Sequence, residues 1–163
     1  MKNSILPIAI FIITLISSPK LAAQEFRGLD KSPMDMAAFP SSYKISDKIV
    51  KVIYSRPQLK GRDLVKLAPP EKVWRTGANE AVEITFYKDV VFGGKAVKAG
   101  TYSLFAIPSS DKNWTIIINS AQNVWGSYYY KQDQDVVRVS GITSKADKNI
   151  EAFSMMFDDD MTL

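Results

Sequence analysis

The feature that most constrains the fold of this chain is a series of short stretches with a β-type pattern. Every second residue is apolar in residues 49–54, 81–86 and 102–107 (positions 50, 52 and 54; 82, 84 and 86; 102, 104 and 106), residues 114–118 form a β-branched run, and Gly, Pro, Asn and Asp clusters separate them. A period of two indicates a strand with one buried face, and no long stretch has a helical period. The sequence therefore predicts an all-β, single-domain antiparallel β-sandwich, jelly-roll-like or barrel-like.

Weaker patterns bring the expected number of strands to about eight. The Gly93-Gly94 pair predicts a tight turn between two of them. A helix of one or two turns is predicted at residues 63–67. The remaining strands are predicted at residues 90–91, 96–97, 127–130, 136–139 and 153–157.

Residues 1–23 predict a secretory signal peptide. Lys2 precedes an apolar run at residues 5–16, and the segment ends in Ala22-Ala23. The run of about 12 residues is shorter than the roughly 20 that span a bilayer, which disfavours an uncleaved anchor. We expect cleavage after Ala23, a secreted or periplasmic product, and no membrane span once the signal is removed.

The rest of the 163-residue chain fits one domain. Residues 24–46 lack clear periodicity and predict an irregular N-terminal arm, whereas residues 47–163 predict the sandwich domain. The three aspartates at 158–160 predict a turn, and residues 161–163 have the character of a strand that has only begun. We therefore expect the domain to be truncated at its C-terminus.

The absence of two residue types limits the chemistry. The chain has no cysteine and no histidine, so disulfides, thiolate nucleophiles, Cys/His zinc sites and a Ser-His-Asp triad are excluded. Any general base must be Asp, Glu, Lys or Tyr, and any metal site must use oxygen ligands. The sequence predicts neither a metal nor a cofactor. Without residues 1–23 the chain has 19 basic and 17 acidic side chains, too balanced for a nucleic-acid partner.

Residues 73–80 combine an indole, a guanidinium, a hydroxyl, an amide and a carboxylate around one glycine. We expect Gly77 to adopt a positive φ, so that Arg75, Asn79 and Glu80 converge on one side of a loop. A guanidinium fork, an amide and a carboxylate suit a small polar ligand. The alternative is an internal network in which Arg75 bonds backbone carbonyls and pairs with Glu80 or another carboxylate.

A second basic group lies at Arg56, Lys60 and Arg62. With Arg75 these residues predict an anion-attracting patch, and the alternative, favoured for Lys60, is a solvated loop.

Aromatic residues offer a third group. Trp74, Trp125 and the tyrosines at 128–130 predict a stacking platform for sugar rings. The alternative is that they form the core and edge of the sandwich. For catalysis, the best carboxylate pair is Glu80 with Glu83 or Asp89, as in glycoside hydrolysis.

Several longer motifs carry a resemblance to a known family. They are Tyr-Ser-Arg-Pro at 54–57, Lys-Gly-Arg at 60–62, the octet at 73–80, Ala-Gly-Thr-Tyr-Ser-Leu-Phe at 99–105 and Trp-Gly-Ser-Tyr at 125–128. Together they resemble the DUF2911 family over nearly the whole chain after residue 23. The resemblance implies a secreted or periplasmic bacterial protein of the kind found in Bacteroidetes-like organisms. It implies no activity, because none is established for the family. Relatives continue past Leu163 with a strand that contains a tryptophan, and they carry about one more residue between the second and third motifs.

The function expected from these patterns is a non-catalytic binding module for a small polar ligand such as a glycan or an anion. The alternatives are a glycan hydrolase that uses acidic residues, and a structural partner of an outer-membrane complex. The candidate ligand-binding residues are Arg56, Arg62, Trp74, Arg75, Thr76, Asn79, Glu80, Tyr102, Trp125 and Tyr128.

Overall fold

The computed structural model describes residues 26–111 and 113–158. They form one six-stranded antiparallel sheet in the order β1-β2-β3-β6-β7-β8 and a separate two-stranded β4–β5 sheet. The strands are β1 (Met34–Phe39), β2 (Val50–Ser55), β3 (Val82–Phe86), β4 (Val90–Phe92), β5 (Lys95–Val97), β6 (Gly100–Ile107), β7 (Asn113–Asn119) and β8 (Asp135–Ile142). A short helix α1 (Leu64–Leu67) follows β2, and one 3-10 turn (Gln132–Gln134) precedes β8.

The apolar core lies on one face of the large sheet, which we call the core face. Alternate residues of β2 and β3 are buried there, as the period of two predicts. The β4–β5 hairpin covers this face, with the Phe86 and Phe92 ring centroids 6.4 Å apart. A Cβ at Gly93, which has a φ of 56°, would collide with Val139, so this turn requires glycine. The extended C-terminal segment adds Phe153, Met155 and Phe157 to the same layer.

The antiparallel β-sandwich is confirmed, with layers of unequal size. The sheet of six strands is not a closed barrel: within the described residues β1 and β8 are its two edges. The barrel-like alternative is therefore wrong.

The opposite face of the sheet, the open face, is covered at one end only. The connection from β7 to β8, residues 120–134, crosses it and packs Tyr130 against Phe105 with ring centroids 5.2 Å apart. The side chain of Asn119, which is fully buried, donates to the backbone oxygen of Lys131 and to Asp135, and it accepts from the backbone N–H of Ala121. These bonds hold both ends of the connection in place.

Several predicted elements differ from the structure. Residues 34–39, expected in an irregular arm, form β1 because six residues pair in register with β2. Residues 127–130, expected as a strand, form a turn that follows Gly126, whose φ is 63°. Residues 153–157 are extended and packed but pair with no strand of the described sheets.

Other predictions agree with the structure or fall outside it. The short helix near residues 63–67 and the tight turn at Gly93-Gly94 are confirmed. The signal peptide at residues 1–23, the last two aspartates of the predicted turn and residues 161–163 lie outside the described residues. No helix within the described residues is long and apolar enough to cross a membrane.

Candidate ligand-binding site

The octet at residues 73–80 begins as part of the sheet and then leaves it. Trp74 and Ala106 exchange both backbone hydrogen bonds, at 2.7 and 3.0 Å, and the N–H of Val82 donates to the oxygen of Arg75 at 3.2 Å. Trp74 and Val82 therefore occupy neighbouring positions along β6, since Val82 pairs with Leu104. Residues 75–81 form a loop, here called the octet loop, that projects from the sheet between them.

The expectation that Gly77 takes a positive φ is wrong. Thr76 and Asn79 adopt it instead, each with a φ of 60°. The Thr76 hydroxyl offsets part of this strain, because it donates to the backbone oxygens of Trp74 and Leu104 at 3.3 and 3.2 Å. Gly77 is needed for packing, since a Cβ there would lie 3.2 Å from the backbone oxygen of Ser55.

The far side of the octet loop is fastened to the β7–β8 connection. The N–H of Gly126 donates to the oxygen of Asn79 at 3.0 Å, and the N–H of Ala81 donates to the oxygen of Val124 at 2.9 Å. Asn79 and Glu80 therefore lie directly beside Trp125 and Gly126.

A cavity of about 290 Å³ opens on the open face next to this junction. Glu80 and Glu83 line it with the amides of Gln122 and Asn123, and Met34 and Ile53 supply apolar walls. We call it the carboxylate cavity. Glu83 reaches it because β2, β3 and β6 are in register at Ile53, Glu83 and Ser103, which share the open face.

Arg75 is placed differently from the other polar residues of the octet. Within residues 26–111 and 113–158 its Nε is buried without a hydrogen-bond partner, and no carboxylate lies within ion-pair distance. Its Nη1 lies 3.9 Å from the position of a Cβ built on Gly126, close to the Tyr128 ring. The ion pair with Glu80 that the internal-network alternative requires is therefore absent from the described residues.

The other two candidate arginines bond to the scaffold. Arg56 donates to the backbone oxygen of Phe153, to Asp35 at 3.0 Å and to the Ser154 hydroxyl. Arg62 donates to the backbone oxygens of Leu59 and Gln58. Both guanidinium groups are therefore engaged with protein atoms, whereas the Arg75 Nε has no such partner in the described residues.

The candidate aromatic residues divide between the two faces. Trp74 is buried on the core face. The Tyr102 ring packs on Phe86 on that same face, and its hydroxyl donates to the Lys98 oxygen. The residue also contributes to the lining of the carboxylate cavity. Trp125 and Tyr128, in contrast, are 54% and 79% exposed beside the octet loop.

Residues 32–162 match the family described as "Protein of unknown function (DUF2911)". The chain belongs to this family. The search of curated proteins and the search of solved structures each returned no match. Membership of DUF2911 therefore supports the sequence resemblance and leaves the activity to be argued from the site.

A hydrogen-bonded cluster in this DUF2911 chain joins the end of the β7–β8 connection to β8. Asp135 accepts from the Tyr130 hydroxyl at 2.7 Å and from Arg138 at 2.6 Å. Burial raises the pKa of Tyr130, and the hydrogen bond to Asp135 adds to the effect. The hydrogen bond to Asp135 also raises the pKa of Arg138. The three groups hold the end of the β7–β8 connection.

Asp89, one of the two acidic partners considered for Glu80, lies elsewhere. Its carboxylate accepts from Lys98 at 2.7 Å and from the N–H of Ala99, and the Lys98 hydrogen bond is the main reason that its pKa is lowered. Glu83 is the partner that shares a cavity with Glu80.

The cavity also contains residues outside the candidate ligand-binding set. Gln122, Asn123 and Met34 belong to no candidate group, and Glu83 was a candidate only as a catalytic partner of Glu80. Glu83 occupies a polar position of an alternating strand, which was the available signal. No sequence pattern predicts that Gln122 and Asn123 line the cavity, because their position depends on the path of the β7–β8 connection.

Proposed function

We propose that this protein is a non-catalytic binding module whose carboxylate cavity holds a neutral polyhydroxylated ligand such as a glycan. The observation that carries the proposal is that Glu80, Glu83, Gln122 and Asn123 line one cavity, where the Gln122 amide nitrogen also donates to the Thr101 oxygen at 2.9 Å. Carboxylates accept hydrogen bonds from hydroxyl groups, and amides both donate and accept. A few such groups on apolar walls are typical of small-ligand sites.

The charge of the cavity favours a neutral ligand over an anion. Within the described residues its lining contains two carboxylates and no Lys or Arg. An anion would meet like charges there, whereas a sugar would meet acceptors for its hydroxyl groups. Of the two ligand classes predicted from the sequence, the glycan is therefore preferred.

Exposed rings next to the cavity support the same ligand class. Glu80 pairs through its backbone with Trp125, and more than half of the Trp125 surface is exposed. Tyr128, three residues further on, is exposed as well. Such rings can cover the apolar face of a sugar while their polar edges stay in water.

A glycan hydrolase is the second candidate, because Glu80 and Glu83 line the same cavity. Two carboxylates on either side of a glycosidic bond are the usual catalytic pair. Secretion directed by residues 1–23 belongs to the same proposal, since it would bring the protein to the compartment that contains envelope glycans.

The test is binding of the full chain to an array of neutral and acidic oligosaccharides, followed by calorimetry on the best neutral hit. Glu83→Gln removes one charged acceptor, and we expect about a tenfold loss of affinity. Glu71→Gln is the matched control, because Glu71 is exposed and lies outside the cavity. We expect its affinity to equal that of the unmodified chain.

The outcomes separate the candidates. Absence of binding to every neutral oligosaccharide, or equal affinities for the two variants, contradicts the proposal. Release of reducing ends that disappears in Glu80→Gln favours the hydrolase. Binding to acidic oligosaccharides alone contradicts the charge argument.

A further inference from the structure

A second cavity, of about 650 Å³, lies on the core-face side and has a different chemical character. Its inner wall is formed by the rings of Trp74 and Phe153, and Leu59, Leu64 and Leu67 form a side wall. Residues 144–151 close the other side. We call it the tryptophan cavity. Its volume falls in the range of sites for small organic ligands.

Several apolar side chains around this cavity are not buried by the fold. The helix α1 has three apolar residues among four, yet it buries none of them. Leu64 is 50% exposed, and Ile150, on the facing segment, is 61% exposed. Apolar residues from two facing segments that remain accessible around one cavity are typical of a ligand site.

The inner wall is rigid. Trp74 packs edge-on against Phe153 and Trp114, with ring centroids 5.2 and 6.4 Å apart. Because Trp74 is also bonded through its backbone to Ala106, its ring is fixed relative to the sheet. A ligand that enters therefore meets a preformed aromatic surface.

The two side walls are tied to each other below the opening. The N–H of Leu59 donates to the oxygen of Glu151, and the N–H of Phe153 donates to the oxygen of Pro57, both at 2.9 Å. The Glu151 carboxylate accepts from the N–H of Lys60 at 2.6 Å. These bonds fix the spacing of the two walls below the opening.

Four charged residues line the cavity, the cationic Lys145 and Lys148 and the acidic Asp147 and Glu151. Lys145 and Lys148 line the cavity, and neither forms an ion pair with any residue of the described ranges. One of the acidic groups, Glu151, is already engaged with the backbone of Lys60.

We propose that the tryptophan cavity binds a single-chain amphiphile, a fatty acid, with its alkyl chain against Trp74 and Leu64 and its carboxylate beside Lys145 and Lys148. Each methylene buried against the apolar walls adds to the affinity, so a chain of moderate length suffices for stable binding. The ammonium groups supply charge-assisted hydrogen bonds to the head group. This site is independent of the glycan proposal, because the two cavities have no lining residue in common.

The probe is dansyl-undecanoic acid, titrated below its micelle concentration into the full chain and displaced by dodecanoate or by methyl dodecanoate. We expect dodecanoate to displace the probe at about tenfold lower concentration than the ester, because only the acid engages the lysines. The double variant Lys145→Gln/Lys148→Gln removes that difference and leaves the ester unaffected. Its matched control, Lys44→Gln/Lys95→Gln, changes two exposed lysines outside the cavity and leaves the difference intact.

Leu64→Gln tests the apolar contact separately. Leu64 is half-exposed, so the variant folds, and we expect it to weaken acid and ester alike by about tenfold. Absence of probe binding, equal displacement by acid and ester, or insensitivity to Leu64→Gln overturns the proposal. A concentration-dependent dimer that Leu64→Gln abolishes also overturns it, since the occupant is then a second copy of the chain.

Discussion

The two cavities lie on opposite faces of one sheet, and the octet contributes Trp74 to one and Glu80 to the other. Different interactions hold the two cavities in shape. The tryptophan cavity rests on buried rings and on backbone pairing between two chain segments. The carboxylate cavity rests on a loop and a connection that side-chain and backbone hydrogen bonds hold over the open face. The first depends on apolar burial that the whole domain shares, and the second depends on a few local polar contacts.

The octet contributes residues to both faces because the octet loop, residues 75–81, leaves the sheet. Trp74 is still a strand position and points to the core face, whereas Glu80 lies beyond the projecting loop and reaches the open face. The density of unlike groups that distinguishes this stretch in the sequence therefore reflects two neighbouring environments. A single site containing all of them is not what the geometry shows.

The largest effect is expected from Trp74→Ala, which tests the dependence of the core face on burial. Truncation of this buried ring removes its contacts with Phe153 and Trp114 and should lower the free energy of unfolding by about 3–5 kcal/mol. The measurement is urea denaturation of the full chain. Trp125→Ala is the matched control, because this exposed ring should contribute less than about 1 kcal/mol. Equal losses for the two variants would remove the distinction between the faces.

Most of the core could be predicted from the sequence. Every second residue of 82–86 and of 50–54 is apolar, and one face of each strand is buried as the period of two requires. The exceptions have local causes. In β1 the weak β-formers Asp35, Ala37 and Ala38 hide a strand that exists only because β2 offers it a complete register.

The second effect, of intermediate size, is expected from Asn119→Ala, which tests the polar anchoring of the open face. The variant leaves the Lys131 oxygen and the Ala121 N–H without their partner, and we expect a loss of about 2 kcal/mol. Because Gln122 and Asn123 lie on the same connection, affinity for the neutral glycan should fall as well, while fatty-acid binding stays unchanged. Asn113→Ala, an exposed change in the same strand, is the control. Loss of both binding activities together would show that the faces are not separately supported.

The site itself was less predictable than the core. The octet was recognisable from its composition, and Glu80 lies in the cavity. The backbone that places it was not recognisable, because Thr76 and Asn79 carry the positive φ values that Gly77 was expected to take. Sequence spacing likewise predicts one basic patch of Arg56, Arg62 and Arg75, but in the structure the Arg56 and Arg62 side chains bond to backbone oxygens of the scaffold. Such contacts depend on the path of distant segments, which local patterns do not record.

The smallest effect is expected from Arg75→Met, which asks whether the octet loop depends on its own guanidinium. The Nε of Arg75 is buried without a partner in the described residues, and an unpaired buried donor has a desolvation cost. Methionine keeps the length and apolar stem of the side chain and needs no partner, so stability should be unchanged or rise by about 1 kcal/mol. Arg56→Met is the control, because loss of its bonds to Asp35, Phe153 and Ser154 should cost roughly 1 kcal/mol. A loss above about 2 kcal/mol in Arg75→Met would mean that the guanidinium does have a partner in solution. The octet loop would then be held by an internal hydrogen-bond network around Arg75, which is the alternative to a ligand site. The open face would in that case depend on a buried charge as well as on its hydrogen bonds.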